Sequence, residues 1–332
     1  MEEWLITSPI QDSSGGVSGW LDDAGKPAFI YGEITGYYLS AMAFVGRYGR
    51  RRAAAAVRAR RAVSWLDRES RHGEPPRTRV YSTGDEDWRN DLIFSFDLGM
   101  VIRGLRAVRP YLPDQADELI HRYASFLRAM WCAGQPIDSH LARFSTKEPP
   151  TKWSTVPGPH HVKVAAGVAD LPNMRDLAEI TLSHWLPFAD QEPRELALHP
   201  CLYFLEGLVQ LGHWDAAGRM YRHILSRGFR DGLLPSQPPE GFERSDVVAQ
   251  ALRMAVLLDS RGISVPQDDI ELLVDTLRLH LRDDGAVAFH RPRSDGNHWN
   301  CWSAMFGYQA MWLYQRHRAG LPIDNAMVSL II

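Results

Sequence analysis

Residues 15–45, GGVSGWLDDAGKPAFIYGEITGYYLSAMAFV, run from a glycine-rich loop through YGEITGY into a mostly apolar helical stretch. Alone, this is a loop followed by a capped helix. Its weight comes from repetition: GGVSGW, TRVYSTG, LARFSTK, RDGLLPSQ and DDGAVAFH share a Gly or Arg, a short alternating stretch and a polar loop, and several of them precede an apolar helix. This is an internal repeat of roughly fifty residues.

Periodicity near 3.6 predicts helices at about 34–48, 51–69, 95–109, 115–132, 161–170, 174–187, 198–212, 215–228, 245–261, 268–281 and 300–318. Pro113 with Asp114, Asn173 as a cap, and SVPQDD mark helix starts. Strand-like runs are short. One set of helices (34–48, 95–109, 161–170, 198–212, 245–261, 300–318) is apolar around much of its circumference, as in VVAQALRMAVLL. The alternate set carries charge on one face. Buried helices alternating with half-exposed ones describe an all-α, (α/α)6 toroid with short β-hairpin-like connectors. Steps of about 40 to 65 residues between inner helices suit a closed ring with functional loops better than a solenoid of uniform repeat.

The expected organisation is one toroid domain over 1–332: an N-terminal arm and loop (1–30), hairpins (31–318) and a tail (319–332). The last hairpin is incomplete or irregular. Either the tail LPIDNAMVSLII replaces the twelfth helix, or a gap remains for a second copy of the chain, making a homo-oligomer.

YGEITGY at the first inner helix, HPCLYFLEGL at the fourth, RSDVVAQALRM at the fifth and NHWNCWSAMFGYQAMWLY at the sixth resemble the six-hairpin glycosidase-like superfamily, particularly bacterial members linked to polysaccharide metabolism. The resemblance covers most of the chain and implies the toroid. It leaves the chemistry open, because hydrolases, lyases and sugar epimerases share this architecture, and terpenoid cyclases and prenyltransferases use a related one.

A net charge of -3 and a 45% apolar composition imply a globular protein with no basic excess for nucleic acid. The Arg-rich RYGRRRAAAAVRARRAVSW reads as a solvated helix face. The N-terminus has no apolar signal region and no run of about 18 apolar residues occurs, so a cytoplasmic protein without a membrane partner is expected. Cys132, Cys201 and Cys301 are odd in number and read as reduced thiols. P-loop, GxGxxG, GxSxG and HExxH motifs are absent, as is the DxDD of terpenoid cyclases.

With inner helices about 9 Å apart, side chains fill the middle of the ring, and a ligand must bind at a mouth. The N-terminal ends of the inner helices carry Glu33, Asp97, His160, His161, His199, Asp246, His298 and Asn300, beside free N–H groups and positive dipole ends. Asp97 and Asp246 also sit where acids cap helices. General acid–base chemistry needs a pair of groups with separated pKa values, and the preferred pair is Glu33 and Asp246, with Asp97 third. Paired histidines would serve as they do in the toroidal sugar epimerases of the resemblance, here His199 and His298. Asp246, His298 and Cys301 offer zinc-ligand types without a second paired motif, so no metal or cofactor is expected. TGDEDWRND at 83–91 lacks EF-hand spacing and reads as a solvated loop overhanging the site.

Trp20, Tyr31, Tyr37, His161, Tyr203 and Trp302 are the candidate substrate-binding side chains, with Trp88, Trp153 and Trp299 also in or beside connectors. The leading expectation is a carbohydrate-active enzyme taking a small-molecule or oligosaccharide substrate by hydrolysis, elimination or epimerisation. A terpenoid-cyclase-like or isomerase-like enzyme on a small intermediate would instead show a deep aromatic chamber with one acid. A non-catalytic saccharide- or protein-binding toroid would pair its mouth acids with arginines such as Arg103, Arg244 or Arg253.

Overall fold

The computed structural model describes residues 1–70, 73–81, 84, 87–143, 148–192, 197–226, 234, 242–291 and 298–332. Parts of TRVYSTG, LARFSTK and TGDEDWRND, and nearly all of RDGLLPSQ, lie outside the described residues.

After α1 (Glu2–Thr7), helices alternate inward and outward: α2 (Gly32–Tyr48), α3 (Arg52–Glu69), α4 (Ser95–Val108), α5 (Pro113–Ala129), α6 (His161–Val168), α7 (Arg175–Trp185), α8 (Leu198–Gln210), α9 (Trp214–Ser226), α10 (Ser245–Ser260), α11 (Gln267–Arg278), α12 (Cys301–Arg318) and α13 (Asn325–Ser329). Every residue of α2 from Gly32 to Val45 is buried, and likewise α10 from Ser245 to Leu258. In α3 only Ala55, Ala59, Ala62, Val63, Trp65 and Leu66 are buried, one stripe at helical spacing with the arginines around the rest. The even-numbered helices α2 to α12 each touch the next, and α12 returns to α2. The ring is therefore closed, an (α/α)6 toroid.

The sixth outer position, that of the ring's twelfth helix, is filled from the N-terminus. α1 packs on α12 and α3; Glu2 accepts hydrogen bonds from Arg50 N at 2.8 Å and Arg51 N at 2.7 Å and from the Tyr308 hydroxyl at 2.8 Å. Six residues are too few to show a helical period, and the paired acids read as a polar terminus. The tail instead runs under the ring. α13 reaches α8, and Ile331 and Ile332 are wholly buried. Asn173 is not a cap: it stands in the left-handed region at φ 62, and Met174 precedes α7.

Short antiparallel pairs tie one connector to another: β1 (Trp20–Leu21) with β8 (Trp299–Asn300), β2 (Ile30–Tyr31) with β3 (Arg79–Val80), β4 (Leu92–Phe94) with β5 (His140–Ala142), and β6 (Glu243–Arg244) with β7 (His290–Arg291). They form a fringe around the mouth at the N-terminal ends of the inner helices. Each of β2, β4, β6 and β8 leads directly into α2, α4, α10 or α12, so strand pairing fixes where the first helical turn begins. No helix among the described residues is long and apolar enough to cross a membrane.

Candidate active site

The spacing of α2 and α4 is set by glycine. A Cβ on Gly36 would lie 2.7 Å from Val101 Cα and 2.8 Å from Met100 O, and one on Gly104 would lie 2.2 Å from Gly36 O. Only bare backbone allows this approach. It draws together the first turns of the two helices, which carry Glu33 and Asp97.

Both carboxyl groups line a cavity of about 230 Å3 at the mouth, walled also by Tyr31, Phe96, Trp153, His199, Tyr203 and Trp302. Burial pushes Glu33 up to about 7, against the Tyr31 and Tyr37 hydroxyls, Lys163 and Arg79, which pull it down. The helix dipole favours the anion by only about 0.3–1 kcal/mol. Moving from 4.5 to about 7 corresponds to about 3 kcal/mol, so desolvation wins. Asp97 is raised well above the usual carboxylate range by burial and then by the Glu33 charge, with Arg79 and Arg89 opposing. α4 has no side-chain cap, so Asp97 is not there to cap it. The two groups titrate as a pair in which one proton is retained near neutrality.

Cations face this pair from the connectors. Arg79 and Arg89 are both held by Asp87, at 3.2 and 3.0 Å, and Asp87 also caps the short turn at Trp88–Asp91. Asn90 bonds the Arg79 backbone on both sides, at 2.9 and 2.8 Å. The Arg79 guanidinium lies over Phe29 at 4.3 Å and Tyr31 at 5.7 Å. Lys152 and Arg244 complete the cationic wall.

Asp246 plays a different part from Glu33. It is fully buried and accepts from Arg244 at 3.1 and 2.5 Å, from Trp302 Nε1 at 2.8 Å and from Val247 N at 2.9 Å. Arg244, with His199 and the hydrogen bonds adding to it, overrides the burial penalty and holds Asp246 well below the usual carboxylate range. It is a fixed anion behind the wall that aims two wall residues.

His199 lines the cavity, and burial pulls it down to about 4, so the imidazole is neutral at ordinary pH. Its tautomer follows from a chain of contacts reaching the ring centre. Glu206, kept ionised by Arg253 and Lys163, can only accept, so it takes Gln250 Nε2 at 3.2 Å. Gln250 Oε1 then faces His199 Nδ1 at 2.6 Å. The Nδ1 carries the proton, and Nε2 is left as the acceptor.

Of the other sequence candidates, Tyr31, Tyr203 and Trp302 line the cavity. Tyr37 lies behind the wall, stacked on Tyr203 with centroids 6.5 Å apart. His161 is buried with both ring nitrogens engaged: Nδ1 meets Gly158 N at 3.2 Å and Nε2 meets Ser95 Oγ at 3.0 Å. Trp20 stacks on His298 at 4.2 Å, and the edge of its ring meets Trp302 at 6.3 Å. That pair backs the wall from outside the cavity. All three cysteines are free, and burial pushes the Cys301 thiol up, away from the thiolate form. Among the described residues no cluster of three His, Cys, Asp or Glu side chains could hold a metal ion.

Arg79, Arg89 and Lys152 were not singled out in the sequence; nothing local marks them, since their place depends on Asp87 and on strand pairing. Lys163, Glu206 and Gln250 did leave a signal: polar residues inside otherwise apolar inner helices must find one another across the ring.

No protein-family model matches the chain, and no curated protein matches it in sequence. Solved structures do match over nearly its whole length. Cellobiose 2-epimerase from Bacillus thermoamylovorans superposes with a TM-score of 0.74 at 11% identity, covering 94% of this chain and 95% of that one. A D-mannose isomerase gives 0.70 at 12% identity, with 96% of each chain covered. An α-1,6-mannanase from Salegentibacter sp. gives 0.61 at 11% identity, covering 95% of this chain and 97% of that one. At such identities the likeness is one of fold: the chain shares the (α/α)6 toroid of these structures.

Proposed function

We propose that this chain is a carbohydrate-active enzyme that cleaves a glycosidic bond, with Glu33 and Asp97 as its acid–base pair. The observation that carries the reading is that these two carboxyl groups, in the first turns of adjacent inner helices, are both raised by burial at the wall of one aromatic-lined cavity. The member holding the shared proton would protonate the departing oxygen, and its ionised partner would activate water or attack the anomeric carbon. Trp153, Trp302 and Tyr203 offer ring faces to the sugar. Arg79, Arg89, Arg244 and Lys152 suit hydroxyl groups or the carboxylate of a uronic acid.

The pairing differs from the Glu33–Asp246 preference of the sequence, because Asp246 is fully engaged and off the cavity wall. The arginine pairing expected of a purely binding toroid fits Asp246; Glu33 and Asp97 depart from it. A wall with two carboxyls and several cations also suits a sugar better than an isoprenoid. The sugar chemistry in the names of the epimerase, isomerase and mannanase that share the fold points the same way.

The test is turnover on a panel of neutral and uronate-bearing oligosaccharides. Glu33→Gln and Asp97→Asn should each lower the rate about 10²–10⁴-fold with the circular dichroism spectrum retained. Unchanged rates in both variants would overturn the assignment. One observation favours a second reading, epimerisation: the neutral His199, with Nε2 open as a base, at the same cavity. Solvent deuterium incorporated beside the sugar carbonyl, without new reducing ends, would select it.

A further inference from the structure

A larger cavity, about 380 Å3, opens at the opposite mouth, where the inner helices end. Arg47, Arg103, Arg106 and Arg109 converge on it from the ends of α2 and α4, with Gln210 of α8 and the tail at Ser329–Leu330 completing the wall. Helix C-terminal ends favour cations, which accounts for arginines there; it does not account for four turned onto one open space. Asp170 bonds Arg106 and Asp117 bonds Arg109; Asp170 is largely exposed and Asp117 partly so. Arg103 is buried, yet its contacts are Met100 Sδ and the main-chain oxygen of Ile331. Among the described residues no carboxylate touches Arg103 or Arg47. The Gln210 side-chain oxygen is also buried without a partner among the described residues. A desolvated guanidinium that no carboxylate touches, with Glu206 acting on it only at a distance, an exposed one beside it and an unsatisfied amide oxygen describe a site lacking its ligand.

We propose that this second mouth binds a small phosphate ester. Planar guanidinium groups match the phosphate oxygens in pairs. The cavity exceeds what phosphate alone fills and falls in the range of small-metabolite sites. Tyr111 and Ser329 can meet the hydroxyl groups of the ester body. The site lies across the ring from Glu33, so it binds independently of the reaction.

The test is isothermal titration calorimetry of the full chain with glucose 6-phosphate, inorganic phosphate and glucose at matched ionic strength. Glucose 6-phosphate should bind more tightly than inorganic phosphate, and glucose should give no heat at this site. Arg47→Gln, an exposed change with no ion pair to lose among the described residues, should weaken the ester about tenfold. A double variant with Arg106→Gln should abolish binding, whereas Glu33→Gln should leave it intact. No saturable heat with either phosphate compound up to about 10 mM would overturn the proposal. Equal affinity for the ion and the ester would overturn its ester part, and full affinity in Arg47→Gln would overturn the location.

Discussion

The raised pKa of Glu33 is a statement about stability, and Glu33→Gln isolates it. Below pH 4.5 the carboxyl is protonated in folded and unfolded chains alike and contributes no pH dependence. Between 4.5 and about 7 the unfolded chain releases the proton while the folded chain keeps it, so folded stability falls as pH rises. At about 1.4 kcal/mol per unit, the cost reaches about 3 kcal/mol above pH 7. Glutamine cannot ionise and removes the cost. Removing the Glu33 charge also relieves Asp97, which adds to the difference in the same direction.

Over 332 residues, an unfolding entropy of about 2.1 cal/mol/K per residue converts this to about 5 °C in Tm. Scanning calorimetry of both proteins at several pH values is the assay. The variant should gain on the parent by about 5 °C at pH 8, and the gap should close below pH 4.5. Groups common to both proteins, Asp97 apart, cancel in the comparison. Tm curves that run parallel from pH 4 to 8 would refute the buried-acid reading, and with it the acid–base pair.

Gly36→Ala should cost about 1–3 kcal/mol, because its methyl group meets backbone of α4 at 2.7–2.8 Å and the helices must part. Turnover should drop more than in Gly207→Ala, which wedges α8 from α6 at 2.5 Å instead; melting and rate measurements on both would show it. Asp246→Asn should raise KM more than it lowers kcat, since it frees Arg244 and loosens Trp302, and it should destabilise by about 3 kcal/mol in chemical denaturation. Because Asp246 is held below its ordinary pKa, its contribution is present above the unfolded value of 3.8 and lost as pH falls below it. Gln250→Glu puts a second acceptor against His199 Nδ1 and should raise the His199 pKa from about 4, read by NMR titration and as a shifted acidic limb of the rate profile.

The ring was legible because burial leaves a mark in composition. Helices surrounded by neighbours are apolar on all sides, as in VVAQALRMAVLL, while α3 shows one alanine stripe among arginines. The placement of Glu33 and Asp97 in first turns was equally open to reading. What the chain does not display is which acid stays solvated by the protein. Asp97 and Asp246 look alike in FSFDLGM and ERSDVVAQ, yet Arg244 two residues before Asp246 folds back onto it, and the nearest arginines to Asp97 are both taken by Asp87. Proton affinity is decided by which carboxylate each arginine turns onto, and helical periodicity carries no trace of that choice. α1 escaped notice for a simpler reason, its length.

The polar residues at the ring centre hold the inner helices, and with them the described walls of the mouth, in one arrangement. Lys163, Glu206, Arg253 and Gln309 come from four different inner helices, and the Ile332 main-chain oxygen meets Lys163 at 3.1 Å and Arg253 at 3.0 Å. Burying these charges is costly unless each finds its partner, so mutual satisfaction demands one register of the helices relative to one another. Gln250 passes that register outward to His199, and the close approach at Gly36 fixes it between Glu33 and Asp97. In this arrangement the tail is part of the active site's support although it lines no part of the cavity that holds Glu33 and Asp97. Shortening it by Ile331 and Ile332 should free Arg103, Lys163 and Arg253 together, lowering Tm and turnover in concert, whereas an intact rate would show that the hub acts on stability alone.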